Sequence, residues 1–332
     1  MLSPLALDAP PATDTAPPAV VLDRIVHRFG ARRALDELSL RVPTGQVTVL
    51  LGPNGAGKTT AIRVITGAMS TDSGSVRTLG LDPTVDGETI RRRCGVVAAK
   101  PALYDRLSGR DNLAYSAALY GLDPKTAPIE SAAERFGIVA ALDRQVGGYS
   151  TGMKTRLALS RAVLHDPDLL LLDEPTSGLD PESSIAVLGL IRDLTAHGKT
   201  VLLCTHLLLE AEGLADQVVI IEGGRDLIAG KPAALAKRLF PTRKVRLAAE
   251  DGASLDALGR LPGVRSIERE PDGAIIAELD EGVAVADLVD ALVRSGARIN
   301  RVEPREPSLE DLYFAVRGVR RGAMTDVTGA RQ

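Results

Sequence analysis

Between Val47 and Thr66 an apolar run, a glycine-rich turn and a helix-compatible stretch follow one another without a break. The apolar run is Val47–Leu51, and the turn reads Gly52-Pro53-Asn54-Gly55-Ala56-Gly57-Lys58-Thr59-Thr60. A short run of Val, Thr and Leu suits a strand buried in a sheet. Glycines let the backbone close into a tight cradle whose N–H groups point inward, and the helix start behind it adds positive potential. The spacing is G-x-x-x-x-G-K-[ST] in the strand–turn–helix context that gives this motif its meaning, a phosphate-binding loop. It assigns Gly52–Gly57 to the cradle, Lys58 to the β- and γ-phosphates and the Thr59 hydroxyl to Mg2+.

The rest of the chain agrees with an α/β fold. Strand runs are expected at Val20–Val26, Leu38–Val42, Gly95–Ala98, Leu169–Leu172, Thr200–Cys204 and Val218–Ile221, separated by helix-compatible stretches. Such alternation predicts a largely parallel sheet covered on both faces. Gly223-Gly224 reads as a closing hairpin, and the stretch from Leu103 to Gly148 lacks strand runs and should be helical. Composition shifts near Lys231–Pro241. Beyond it, Lys244–Ala248, Ser254–Leu261, Val264–Glu268, Ala274–Leu279, Val285–Ser295 and Arg298–Val302 read in the order β-α-β-β-α-β, with a last helix at Leu309–Val316. That order predicts a small separate α+β domain. The expected organisation is a leader at 1–18, a nucleotide-binding domain at 19–235, an accessory domain at 240–318 and a loose tail at 319–332.

Composition removes other classes. Net charge is -3 with both signs mixed, which offers no basic surface for DNA or RNA. Cys94 and Cys204 stand far apart without metal-ligand spacing, and the leader, rich in Pro and Ala, has no basic start. No stretch reaches the roughly 18 apolar residues that a membrane-spanning helix needs.

The run Leu169–Leu172 ends in Asp173-Glu174. Two carboxylates at the end of a buried strand lie at the sheet edge where α/β folds bind ligands. Beside a phosphate loop, Asp173 is suited to hold Mg2+ and Glu174 to polarise an attacking water for γ-phosphoryl transfer.

Beyond these two motifs the sequence resembles the ABC ATPases. Tyr149-Ser150-Thr151-Gly152-Met153-Lys154 precedes the Asp-Glu pair at the spacing of that family's signature motif. Ser177-Gly178-Leu179-Asp180 resembles its D-loop, and His206 stands at the switch-histidine position. Phe29 stands where an aromatic ring stacks on adenine, although it reads equally as a core aromatic. The resemblance covers about residues 20–235. It implies a P-loop NTPase cassette of the ABC type, with a mixed sheet and a helical subdomain, that binds ATP and Mg2+ and hydrolyses ATP. It further implies a homodimer, in which Ser150, Thr151, Gly152 and Met153 face the γ-phosphate held by the other subunit and Asp180 links the two sites. By the same resemblance, Glu174, His206 and Lys58 are expected to carry the catalysis, and an ABC-2 type permease to supply the membrane, with this subunit peripheral on its cytoplasmic side.

Two departures matter. The signature carries Tyr149, Thr151 and Met153 where Leu, Gly and Gln are usual, as in subunits resembling drug, antibiotic or lipid exporters of the ABC-2, daunorubicin-resistance-like type. At the Q-loop, Ala99 stands in place of Gln, with Lys100 beside it. An alanine can neither touch Mg2+ nor hold water. The reading is therefore export powered by ATP; the alternative is a non-transport ABC ATPase with a regulatory or self-resistance role.

Overall fold

The computed structural model describes residues 16–250, 255, 258–280 and 282–318. The expected leader, apart from 16–18, and the expected tail lie outside the described residues. One compact unit ends at Pro232 and a second begins at Ala233.

The first unit is built on a six-stranded sheet. Its strands are β3 (Val47–Leu51), β5 (Cys94–Val97), β6 (Leu169–Asp173), β7 (Thr200–Thr205), β8 (Gln217–Glu222) and β9 (Arg225–Gly230), in the order β5-β6-β7-β3-β8-β9. All pairings are parallel except β8–β9, which is the hairpin turned by Gly223-Gly224. Every residue of β3, β6 and β7 is buried. Strands covered on both faces have no polar side, which is why their sequences are continuous Leu and Val runs rather than alternating ones.

A second, antiparallel sheet of β1 (Val20–Phe29), β2 (Arg32–Val42) and β4 (Ser73–Thr78) runs in the order β2-β1-β4. Its inward residues Leu22, Ile25, Leu35 and Leu40 share one core with Leu50, Leu202 and the helix α1 (Lys58–Ile65). β1 and β2 are longer than their apolar runs suggested, because their polar distal halves pair with each other up to Phe29 and Arg32. β4 was not anticipated. Only Val76 and Thr78 of it are buried, and it pairs with β1 alone, so it carries almost no hydrophobic signal. The short α2 (Gly87–Arg92) escaped notice for the same reason.

The stretch expected to be helical contains α3 (Gly109–Leu119) and α4 (Ile129–Arg135), and α5 (Thr151–Val163) follows. They pack around their own core of Leu113, Ala117, Ala133, Leu142 and Leu157. Ser108 caps α3 in a complete capping box with Asp111, fixing where that helix begins. α6 (Pro181–Ala196) and α7 (Leu208–Glu212) complete the unit.

The second unit opens with α8 (Pro232–Leu239), whose first residue belongs to the preceding unit. It holds β10 (Arg243–Ala249), β11 (Val264–Arg269), β12 (Ile275–Leu279), α9 (Val285–Arg294), β13 (Ile299–Arg305) and α10 (Leu309–Arg317). The sheet order β11-β12-β10-β13 is antiparallel throughout and is that of the β-α-β-β-α-β plan. The helix expected at Ser254–Leu261 falls in part outside the described residues, but Leu255 and Leu258 are buried against the same core as Leu288 and Leu292 of α9. Alternate residues of β10 divide the faces: Val245 and Leu247 enter that core, while Arg246 pairs with Glu270, Asp272 and Glu303.

Leu50 lies in β3, between β7 and β8, and is fully buried. Leu50→Ala should destabilise the first unit by about 2–5 kcal/mol through lost burial and a residual cavity. A urea titration followed by intrinsic fluorescence or circular dichroism would show the lowered midpoint, and an unchanged midpoint would contradict the central placement of this strand.

Candidate functional site

Parallel register creates the site. Leu51 pairs with Thr205, and Asp173 pairs with Cys204, so β3, β6 and β7 end side by side. The next residues along each strand are Gly52, Glu174 and His206. Backbone bonds lock this edge: Gly52 N–H donates to Thr205 O at 3.2 Å, and Glu174 N–H donates to Cys204 O at 2.8 Å. The loop between β3 and α1 then curls over it. Gly57 has φ 112°, and a Cβ there would stand 2.6 Å from the Ala34 carbonyl oxygen, so backbone conformation and space both require glycine. α1 begins at this glycine with no side-chain cap, leaving its first N–H groups for another acceptor.

Lys58 is only 5% exposed. Its Nζ donates to the carbonyls of Gly52 (2.7 Å) and Pro53 (3.2 Å) and lies 3.3 Å from Glu174 Oε1. The same carboxylate oxygen is 3.0 Å from Nδ1 of His206. One oxygen thus joins the ammonium and the imidazole. Glu174 reaches this position with φ 49°, a left-handed conformation that costs a non-glycine residue about 1–2 kcal/mol. Strain of this kind persists only where the surroundings impose it.

Beside this group, Thr59 Oγ1 donates to Asp173 Oδ2 at 2.6 Å. Burial pushes the Asp173 carboxyl above its ordinary range; the Thr59 hydrogen bond pulls it back, and the neighbouring Glu174 pushes it further up. Two hard oxygen donors side by side fit Mg2+, which takes few protein ligands and leaves the remaining positions to water and phosphate. Among the described residues no cluster of three or more His, Cys, Asp or Glu could hold a metal by itself. Burial pushes the Cys94 thiol up to about 12 and raises Cys204 as well, so neither offers a thiolate near neutral pH.

A pocket of ≈ 340 Å³ gathers Phe29, the loop residues Asn54, Gly55, Gly57, Lys58, Thr59 and Thr60, and both carboxylates. Gly52 and Pro53 act from behind through their carbonyls, and the buried Ala56 accepts a hydrogen bond from Gly224 N–H at 2.9 Å. His206 reaches the pocket only through Glu174. Phe29 is half exposed, held edge-on by His27 with ring centres 4.8 Å apart. Ala99 also lines the pocket, as its alignment with the Q-loop implied.

None of Ser150–Met153 lines it. Ser150 caps α5, accepting a hydrogen bond from Met153 N–H at 3.3 Å. Thr151 borders a second pocket with Ala99, Lys154 and Ser177, and Gly152 lies near Leu179 and Ser183. Asp180 caps α6: it accepts from Ser183 N–H at 2.8 Å and Ser183 Oγ at 2.7 Å, and these bonds, the backbone one first, hold its carboxyl low. Arg32 and Ala34 also line the first pocket, and nothing in the linear pattern singles them out. The signal available was register, since Arg32 directly follows the turn after Phe29.

Comparisons with known proteins bear on the chain as a whole. The family model described as "ABC transporter" matches residues 35–177, and a second, "ATP-binding protein DrrA1-3-like, C-terminal domain", matches residues 230–316. The daunorubicin resistance ATP-binding protein DrrA2 of Streptomyces coeruleorubidus is 35% identical over 314 residues, covering 91% of this chain and 96% of that protein. The Nod factor export ATP-binding protein I of Rhizobium etli is 32% identical over 303 residues, with 90% and 93% covered. A solved structure of the ATP-binding subunit of an ABC transporter superposes with a TM-score of 0.61 at 25% identity, over 83% of this chain and 99% of that one. Among the described residues no helix is long and apolar enough to cross a membrane. Family match, fold and kinship over nine-tenths of the chain agree: the chain belongs to the ATP-hydrolysing, ATP-binding proteins of ABC transporters.

Proposed function

We propose that this chain is the motor of an exporter, two copies closing on ATP and Mg2+ beneath a separate ABC-2 type permease on the cytoplasmic side of the membrane. The observation that carries the reading is the single Glu174 oxygen shared by Lys58 and His206, beside the Thr59–Asp173 pair. Residues 19–235 form the cassette in this reading and 240–318 an accessory domain. Export is supported by relatives named for drug resistance and for Nod factor export.

The roles follow from the groups. Lys58 donates to the terminal phosphate oxygens, and the uncapped amides at the start of α1 support the same charge. Thr59 and Asp173 would hold Mg2+, which when bound neutralises phosphate charge. Glu174, released from Lys58 as phosphate takes that ammonium, orients the attacking water and accepts its proton. His206 holds Glu174 in place and faces the γ-phosphate. Ser150, Thr151, Gly152 and Met153 act on the ATP of the other copy, and Phe29 stacks on its own adenine.

Lys58→Ala should lose ATP binding by at least about a hundredfold in a fluorescent-nucleotide titration, while Glu174→Gln keeps binding, loses about 10²–10⁴ in kcat and elutes as a dimer with ATP. Full turnover in Glu174→Gln would remove that carboxylate from the mechanism.

A second reading, a nucleotide-holding protein with slow turnover in regulation or self-resistance, is favoured by one observation: Ala99 presents only a methyl to the pocket. Ala99→Gln tests whether that methyl slows turnover. A rise in ATPase rate together with permease stimulation means that the position limits a transport motor; a rate and stimulation both unchanged mean that it is neutral here.

The wider test is to purify the tagged chain from detergent-solubilised native membranes. A polytopic membrane protein should accompany it at equal stoichiometry. Recovery alone, or with ribosomes or DNA, would overturn the transport reading.

A further inference from the structure

β1 and β2 form a hairpin whose last pair is Phe29 and Arg32, joined across Gly30-Ala31. Residues directly opposite in an antiparallel pair project from the same face. Phe29 and Arg32 therefore point together, and both line the phosphate pocket. Arg32 Nη2 is 3.4 Å from the carbonyl oxygen of Gly55, in the middle of the phosphate loop. That contact is long and uses one of five donors.

The neighbouring cations are differently placed. Arg33 is engaged by Asp36 at 2.6 Å, and Arg225 by Asp36 at 2.8 Å and Glu37 at 3.7 Å. Arg32, among the described residues, has no carboxylate within ion-pair distance, and it stands on the rim of a pocket whose other cation, Lys58, is neutralised by Glu174. A guanidinium with unspent donors beside a phosphate cradle matches the bidentate geometry of phosphate oxygens.

We propose that Arg32 binds the nucleotide through the α- and β-phosphates, from the hairpin side of the pocket, and so sets affinity for ATP and ADP alike without entering the chemical step. The placement beside Gly55, rather than at the Glu174–His206 end, assigns it to the part of the nucleotide that hydrolysis leaves unchanged. This inference rests on the nucleotide reading of the pocket, which Lys58→Ala tests separately.

The experiment is a titration of the full chain with ATP and with ADP, alongside steady-state ATPase kinetics. Arg32→Ala should raise the Kd for both nucleotides roughly tenfold and raise KM with kcat unchanged. Arg33→Ala, whose partner is Asp36, should behave as the parent. Arg32→Gln keeps a donor for the Gly55 carbonyl but removes the charge, so it should lose as much affinity as Arg32→Ala, whereas Arg32→Lys should recover part of it. Affinities unchanged in Arg32→Ala would overturn the proposal. So would parent-like binding in Arg32→Gln, which would reduce Arg32 to a brace for the loop, or a fall in kcat with KM unchanged. Should the parent itself bind neither nucleotide, the failure would lie with the reading of the pocket and not with Arg32.

Discussion

Burying the Lys58 ammonium is the demand to which the cassette is built. A charge taken almost wholly out of water costs several kcal/mol unless hydrogen bonds and an opposite charge replace its hydration. Here two carbonyls of the loop and one carboxylate oxygen do so. The loop must turn tightly enough to aim the oxygens of Gly52 and Pro53 back at its own lysine, which explains glycine at 55 and 57. Glu174 must rise from β6 towards β3, which accounts for its left-handed backbone. The site is held ready because its cation would be unstable in any looser arrangement.

Those requirements meet only because the sheet is parallel. Antiparallel neighbours would send alternate strand ends to opposite edges; parallel ones in continuous register deliver Gly52, Glu174 and His206 to one edge. The uniform burial of β3, β6 and β7 makes that register stiff, since a slip by one residue would carry the carboxylates into the core. Packing in the Leu-rich core and chemistry at the rim are one constraint seen from two ends.

What could be read in advance follows from this. β3 and β6 announce themselves because a strand buried on both faces must be apolar throughout, and the residues that end them are then in plain view: Lys58, Thr59, Asp173, Glu174. β4 could not be read, because an edge strand in which only Val76 and Thr78 are buried has no period to detect. Arg32 was invisible for a related reason. It belongs to the polar half of a hairpin, and its relevance comes from its partner across the strands, a relation that one-dimensional patterning does not carry. The positive φ of Glu174 is likewise a product of tertiary contacts that no local preference for Glu would suggest. The β-α-β-β-α-β order beyond Pro241 was legible because the apolar runs of β10 and β12 enter the core and Pro271-Asp272-Gly273 marks the turn between β11 and β12.

Three helices of the first unit show how the ends of elements are assigned to different tasks. α6 starts under an Asp180 carboxylate that satisfies its amides and complements its dipole, so that end is electrostatically closed. α5 starts under Ser150, a neutral cap that engages one amide and leaves the end positive. α1 starts under Gly57 with no cap at all. An Asp at 57 would supply a cap where backbone and space forbid it, and would place a negative charge where phosphate must come. The gradation from carboxylate through hydroxyl to glycine matches the charge that, in the proposed ATP-bound dimer, each helix start is left to meet: none at α6, a shared anion at α5, and the phosphates of its own nucleotide at α1.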